Sequence, residues 1–284
     1  MKKIIVITGP TGTGKTKLSL ELAKKYNAEI INADSTQIYK GMNIATAKIK
    51  DKEGIIHHLM DIKEITEDYS IYDYQKDARK CIEEIHQKGK TVIFVGGTGL
   101  YIKAALFDYK FSEEVKQNYD CYTNEELYEL LKEKEPNTSI HPNNRKRIER
   151  ALSRENSDEF GKNTLLYDTI FIGLTANREI LYDRINKRVD DMVSNGLLSE
   201  AEDIYKSGIR SKAVLTPIGY KELFPYFEGK ESLDNCLDKI KQNSRRYAKR
   251  QYTFFRHQMN ITWIEVDYEH FENTIKKAVS VIEK

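Results

Sequence analysis

The 284-residue sequence predicts an α/β fold, in which a parallel β-sheet is covered on both faces by helices and carries an inserted small helical subdomain. Three observations support this. Short, almost wholly apolar runs recur: KIIVIT at 3–8, AEIINA at 28–33, TVIFVGG at 91–97 and DTIFIGL at 168–174. Amphipathic stretches of helical period separate them, the pattern of buried parallel strands joined by helical crossovers. Between residues 112 and 165 the composition turns to Glu, Lys, Asn and Tyr. That shift marks the inserted helical subdomain, leaving 1–111 and 166–284 as the core domain.

The elements follow in order. The first strand leads through a glycine loop into a helix from Lys15 to Tyr26, with Leu18, Leu22 and Ala23 on one face. After the second strand, a polar loop holds His57 and His58, which as neighbours point to opposite sides and read as packing groups rather than a metal pair. An amphipathic helix from Ile71 to Gln87 ends at Gly89, a common stop signal. The insertion shows helical patterns at Asn124–Glu133 and Asn143–Arg154. The fourth strand precedes the long amphipathic stretch NREILYDRINKRVDDMV. Pro217 then opens a further helix that Pro225 interrupts. A basic helix from Leu233 to His257, a strand at Ile261–Val266 and a closing helix complete the chain.

Composition narrows the class. No apolar run nears the roughly 18 residues that span a bilayer, and the apolar N-terminal run leads into a glycine loop without a signal-peptide cleavage site. A cytoplasmic protein is therefore expected. Cys81, Cys121 and Cys236 lie far apart without CxxC spacing, so neither disulfides nor a zinc site is suggested. The formal net charge is only +2, but Lys239–His257 carries seven lysines or arginines and no acid, while Glu113–Glu135 is rich in Glu. A basic stripe on a nearly neutral protein points to a polyanionic partner met on one face.

The residues 9–16, GPTGTGKT, match the pattern GxxxxGK[ST]. Glycines let backbone N–H groups turn onto phosphate oxygens, the helix start adds partial positive charge, Lys15 neutralises and Thr16 can hold a Mg²⁺ ion. The fold class is then a P-loop NTPase-like parallel sheet flanked by helices. The pattern resembles an ATP-binding motif, yet it does not specify the molecule that carries the phosphates. An ATPase or GTPase normally adds an Asp at the end of a second apolar strand. TVIFVGG ends instead in Gly96 and Gly97, and Asp34 is the acid that closes an apolar strand. Asp34 serves as metal support, as a base or as a helix cap. It opens DSTQIYKG, which lies just outside a strand's carboxyl end, where open parallel sheets bind ligands. Gln37 has the paired donor and acceptor that suit an adenine edge. Tyr39 stacks on a base or packs. In GGTGLY at 96–101, Thr98 offers a hydroxyl to the same cleft or caps the next helix.

In RRYAKRQYTFFR, Arg245, Arg246, Lys249 and Arg250 recur at helical spacing with aromatics between them, which suits contact with a phosphate backbone. NNRKRIER at 143–150 is a second basic patch.

Together, GPTGTGKT, DSTQIYKGMNIATAK, HHLMDI, GGTGLY, HPNNRKRIERAL, GYKE and RRYAKRQYTFFR resemble, in order and over nearly the whole chain, the tRNA dimethylallyltransferases, also called tRNA isopentenyltransferases. A bacterial-type member is expected, since no zinc-finger extension follows. The resemblance implies transfer of a dimethylallyl group from dimethylallyl diphosphate to N6 of the adenosine 3′-adjacent to the anticodon of tRNAs reading codons that begin with U, with Mg²⁺ and release of diphosphate. It implies that Gly9, Pro10, Thr11, Gly12, Thr13, Gly14, Lys15 and Thr16 bind the diphosphate, with Thr16 on the metal. Asp34 would be the base facing N6, with Thr98 beside the target amine and Lys15 acting on the leaving group. Asp34, Ser35, Thr36, Gln37 and Thr98 would meet the tRNA anticodon stem-loop. So would Lys116, Lys146, Arg147, Ile148, Glu149 and Arg150, and also Arg245, Arg246, Lys249 and Arg250. Lys116 stands where many relatives have Arg, and a lysine meets phosphate as a point charge without the bidentate fork, while Phe254 replaces a common Trp and keeps an aromatic. A monomer is expected, because tRNA needs an accessible face. Alternatives are a prenyltransferase acting on free AMP, ADP or ATP, a small-molecule kinase and a non-catalytic RNA-binding protein.

Overall fold

The computed structural model describes residues 3–111, 118–153 and 164–284. The chain divides into two compact units, Met1–Leu106 with Tyr167–Lys284, and Phe107–Leu166.

The larger unit begins with β1 (Ile4–Thr8), α1 (Lys15–Lys25), β2 (Ala28–Asn32), β3 (His57–His58), α2 (Ile71–Gln87), β4 (Thr91–Val95) and α3 (Gly99–Leu106). The smaller unit holds α4 (Asn124–Lys134) and α5 (Arg145–Leu152). The larger unit resumes with β5 (Thr169–Thr175), α6 (Arg178–Ser194), α7 (Leu197–Lys206), α8 (Lys212–Leu215), α9 (Phe224–Phe227), α10 (Leu233–Gln258), β6 (Thr262–Glu265) and α11 (Phe271–Ile282).

The strands of the larger unit form one parallel sheet in the order β3-β2-β4-β1-β5-β6. β1 is central: Ile4 pairs with Val92 on one side and Thr169 on the other, and Ile4 to Ile7 are buried. Such burial on both faces accounts for the unbroken apolar runs, because a strand sandwiched between helix layers has no solvent side to leave polar. The loops after β1, β2 and β4 emerge at the same carboxyl end. There the strand order also reverses, with β4 and β2 on one side of β1 and β5 on the other, the geometry that opens a crevice in such sheets.

Most expected elements are present within a residue or two of the sequence reading. His57 and His58 instead form the short edge strand β3, paired with Ile30 and Ile31. His58 is recruited by an acid no local pattern reveals, meeting the Glu29 carboxylate at 2.7 Å. Pro217 does not open a helix. Gly219, two residues on, has φ of +125°, which α-helix cannot accommodate, and turns follow as far as Leu223. Pro225 does not interrupt a helix either; it sits in the first turn of α9, where its missing N–H is not needed. The sequence reading also missed α7, which Gly196 separates from α6 by a left-handed turn at φ +100°.

The smaller unit has its own core of Leu127, Leu131, Ile148 and Ala151. Ile148 is fully buried there, so its side chain serves packing and is not presented to a partner. Arg145 fastens the preceding loop by donating to the Tyr119 and Tyr122 carbonyls at 2.7 and 2.8 Å.

At the amino end of the sheet, Glu29 is 1 % exposed and meets Lys90 at 2.9 Å, Lys88 at 3.1 Å and His58. Burial by itself would raise its pKa, but the three donors Lys90, His58 and Lys88 bring it down to about 2. Glu29→Gln removes the buried charge and leaves lysines that reach water, so it should lower stability by about 1.5–3 kcal/mol at neutral pH, the range for lost charge-assisted hydrogen bonds. In the wild type the contribution is complete above pH 4.5 and is lost as pH falls toward 2. Urea melts of both proteins between pH 7 and 2 check this; parallel stability profiles would remove Glu29 from the ledger.

Candidate active site

The site is built from three loops at the carboxyl end of the sheet and two helices laid across them. In the first loop, residues 9–14, Gly14 takes φ +85° at the start of α1, a left-handed turn open to glycine at little cost. The loop's carbonyls are engaged by neighbours. Pro10 accepts from the Thr13 hydroxyl at 2.9 Å and from Lys15 Nζ at 2.8 Å, and Gly12 accepts from Arg184 and Tyr268 at 3.3 Å. The backbone N–H groups of residues 12–16 make no hydrogen bond among the described residues. The Thr16 hydroxyl is exposed and makes none either. A row of unspent donors at a helix start is an anion cradle.

The second loop carries Asp34. Its Oδ1 accepts from the Thr36 N–H at 3.0 Å and the Thr36 hydroxyl at 2.7 Å. Asn32 brackets it, accepting from the Asp34 N–H and donating to the Asp34 carbonyl, both at 3.1 Å. The carboxylate is thereby aimed by its own turn. Gln37 donates its amide to the Thr46 and Ala47 carbonyls at 2.9 and 3.4 Å. Tyr39 is buried, which favours packing over stacking on a base.

The third loop, after β4, brings Thr98. Its N–H donates to the Ala33 carbonyl and its Oγ1 accepts from the Ser35 N–H, both at 3.0 Å. The side chain thus ties the third loop to the second. Tyr74 stacks on Tyr101 at 3.9 Å and donates to the Asn32 carbonyl, wedging α2 and α3 beneath the same strand end.

The helix α10 is two-faced. Arg246, Lys249 and Arg250 are exposed, whereas Tyr247, Ala248, Gln251 and Phe255 turn toward the loops. Gln251 accepts from the Thr11 N–H at 3.0 Å and donates to the Gly97 carbonyl at 3.1 Å, joining the first loop to the third. A Cβ on Gly97 would fall 1.9 Å from Gln251 Nε2, so a larger residue there would push that amide off its bonds to Thr11 and Gly97. The Tyr247 hydroxyl lies beside Thr98 and Gln251; burial, with the Asp34 charge adding to it, raises its pKa and keeps it protonated. Arg245 is not on the exposed face. It is half-buried and donates to Asn186 on α6 at 2.5 Å.

Arg188, from α6, is the residue sequence reasoning missed. It is half-buried, makes no hydrogen bond among the described residues, and feels both Lys15 and Asp34. Burial first, then the Arg188 charge, lowers Lys15 from its ordinary 10.5 to about 7, with Asp34 opposing them. Two cations therefore crowd a recess with one carboxylate. In the sequence Arg188 is one of several cations in an amphipathic helix, and no local pattern marks it. Tyr247 and Gln251 were hidden in the same way by the more conspicuous charges around them.

Among the described residues no group of three or more His, Cys, Asp or Glu could hold a metal. No helix among them is long and apolar enough to cross a membrane. In the smaller unit Lys146, Arg147 and Arg150 are exposed on α5, while Glu149 pairs with Arg145 at 2.6 Å. Lys116 lies outside the described residues.

Fold and site define a P-loop-like α/β protein whose anion cradle faces a fixed carboxylate. A family model described as IPP transferase matches residues 37–258, and the chain belongs to that family. A tRNA dimethylallyltransferase of Geobacillus thermodenitrificans is 47% identical, over 99% of this chain and 96% of the relative. One of Anoxybacillus flavithermus is 45% identical with the same coverage of each chain. Among solved structures, the full-length tRNA isopentenylpyrophosphate transferase of Bacillus halodurans has a TM-score of 0.77 at 39% identity, covering 100% of this chain and 97% of that one. A eukaryotic dimethylallyltransferase acting on tRNA has a TM-score of 0.85 at 31% identity, covering 99% and 78%.

The crowded cations yield a pH-dependent prediction. Lys15→Met should stabilise the empty protein, most strongly below about pH 7, where wild-type Lys15 is charged in both folded and unfolded chains and suffers the full cost of burial. The gain should fade between about 7 and 10.5, as the charge is lost first from the folded and then from the unfolded chain. Thermal melts from pH 6 to 10.5 measure it, and a gain that grows with pH would contradict the placement of Lys15.

Proposed function

We propose that the protein transfers the dimethylallyl group of dimethylallyl diphosphate to N6 of the adenosine 3′-adjacent to the anticodon, in tRNAs reading codons that begin with U. It acts as a cytoplasmic monomer and releases diphosphate. The observation that carries this reading is the single aimed carboxylate, Asp34, set against Lys15 and Arg188.

In this reaction an allylic C–O bond breaks and its electron pair leaves on diphosphate. The N6 lone pair forms the new C–N bond, and the N6 proton must go to a base. The free N–H groups of residues 12–16, with Lys15 and Arg188, meet charge that grows on the leaving group, so they favour the transition state over the bound substrate. Asp34 accepts the proton. Thr98, locked to Ser35, keeps the second and third loops at fixed spacing around the target amine.

A Mg²⁺ ion suits this donor set. Mg²⁺ sheds water reluctantly and is commonly held by few protein oxygens plus substrate phosphates, and the unpaired Thr16 hydroxyl would be its protein ligand. When bound, it supplies further neutralisation of the diphosphate.

The same site explains the exposed cations. An adenine within an anticodon loop must leave its stack to reach Asp34. Arg246, Lys249 and Arg250 on α10, and Lys146, Arg147 and Arg150 on α5, would hold the phosphate backbone meanwhile. Asp34, Ser35, Thr36 and Gln37 would line the entrance for the base.

Mass spectrometry of tRNA nucleosides after incubation with enzyme, Mg²⁺ and dimethylallyl diphosphate tests the reading, with AMP as competitor; modified AMP in place of modified tRNA would overturn it. Asp34→Ala should slow transfer about a hundred- to ten-thousandfold and leave tRNA binding intact. Arg246→Ala with Arg250→Ala should weaken tRNA binding and reduce the slope of log affinity against log salt by about one to two. An unchanged slope would take α10 off the phosphates.

A further inference from the structure

The GYKE segment at 219–222 and the loop after Tyr39 have no part in the chemistry described above, yet they are bound to each other through one carboxylate. Glu200, on α7, uses both oxygens. Oε1 accepts from the Ile44 N–H at 2.9 Å, the Ala45 N–H at 3.2 Å and the Tyr220 hydroxyl at 2.7 Å. Oε2 accepts from the Asn43 and Ile44 N–H groups at 2.9 Å. Tyr220 is fully buried, and burial followed by the Glu200 charge raises its pKa far enough to keep it a donor. Gly219 lets the Ala45 Cβ approach, since a Cβ of its own would sit 3.0 Å from that atom. Glu222 fixes the turn by accepting from the Gly219 N–H at 3.0 Å and from Asn243 of α10 at 2.9 Å.

The loop so held is also closed from within: the Ala47 N–H donates to the Ile44 carbonyl and the Lys48 N–H to the Asn43 carbonyl, both at 2.9 Å, and the Thr46 hydroxyl donates to the Met42 carbonyl at 2.6 Å, so Glu200 sets where this turn sits and not whether it forms. Ala47 adopts φ +49°, an unfavourable region for alanine that surrounding contacts must maintain. Its carbonyl and that of Thr46 are the two acceptors of the Gln37 amide. With the NH₂ group spent on two carbonyls, Gln37 keeps only its oxygen for a ligand. A side chain that could read either a donor or an acceptor is thus restricted to reading a donor, such as the amino group of adenine or cytosine.

We propose that Glu200 is a positioning residue for substrate reading: it holds the 43–47 loop, which fixes Gln37 as a hydrogen-bond acceptor toward an amino-bearing base edge. This rests on the tRNA reading of the site. Glu200→Gln leaves an NH₂ group facing backbone N–H groups, so the 43–45 edge of the loop should lose its anchor and shift the Thr46 and Ala47 carbonyls that hold Gln37. The KM for an anticodon stem-loop RNA should rise about tenfold, with kcat and the KM for dimethylallyl diphosphate within about twofold of wild type.

The experiment is a double-mutant cycle. Gln37→Ala should raise the RNA KM by a similar factor, and Glu200→Gln with Gln37→Ala should be no worse than Gln37→Ala alone, because both act through one contact. Effects that multiply, or a parallel loss in kcat and both KM values, would overturn the proposal and leave Glu200 a folding residue. Glu200→Asp keeps the charge and should restore the RNA KM to within about threefold of wild type. If Glu200→Gln fails to fold, Tyr220→Phe, which removes the hydroxyl donor that orients Glu200, replaces it in the cycle under the same criterion. Amide hydrogen exchange needs no substrate and should show faster exchange at residues 43–45 in the variant; unchanged exchange would refute the hold itself. Absence of transfer to RNA in the wild type would instead refute the tRNA reading, and the exchange result would stand apart from it.

Discussion

The arrangement depends on an electrostatic imbalance. Lys15 and Arg188 share a recess with one carboxylate, and burial penalises both cations in the empty protein. Such a recess is costly to fold and gains most when a multiply charged anion enters. The diphosphate of the proposed reaction would be such an anion, its charge increasing as it departs.

The remaining architecture keeps that recess from relaxing. Three sets of hydrogen bonds hold the loops at fixed spacing. Asp34 is kept in its own turn by Asn32 and Thr36, Thr98 pins the neighbouring turn to Ser35, and Gln251 bridges Thr11 and Gly97. The inner face of α10 is as much part of the site as its charged outer face. One helix thus gives the loops their spacing on one side and offers cations on the other.

The parallel sheet was legible in the sequence because burial on both faces writes itself as uninterrupted Ile and Val runs. The phosphate loop and Asp34 were legible because their residue types are tied to strand ends. What stayed hidden acts across long separations. Arg188 and Glu200 lie on amphipathic helices where several charged residues satisfy the same local pattern, and only the crossing of chains selects one. Pro217 misled because a proline that suits a helix start equally suits a turn, and Gly219 decided for the turn. Ile148 sat within a basic run, and its burial follows from the period of α5, with Ala151 three residues on sharing its face.

The bond between Thr11 and Gln251 joins positions 240 residues apart. Chains are made from the amino end, so the phosphate loop exists long before the residue that ties it to the third loop. A growing chain therefore carries a glycine-rich loop with its donors in place but lacks the closed arrangement around them. The three-loop arrangement is complete only once the segment around Gln251 has folded back onto Thr11.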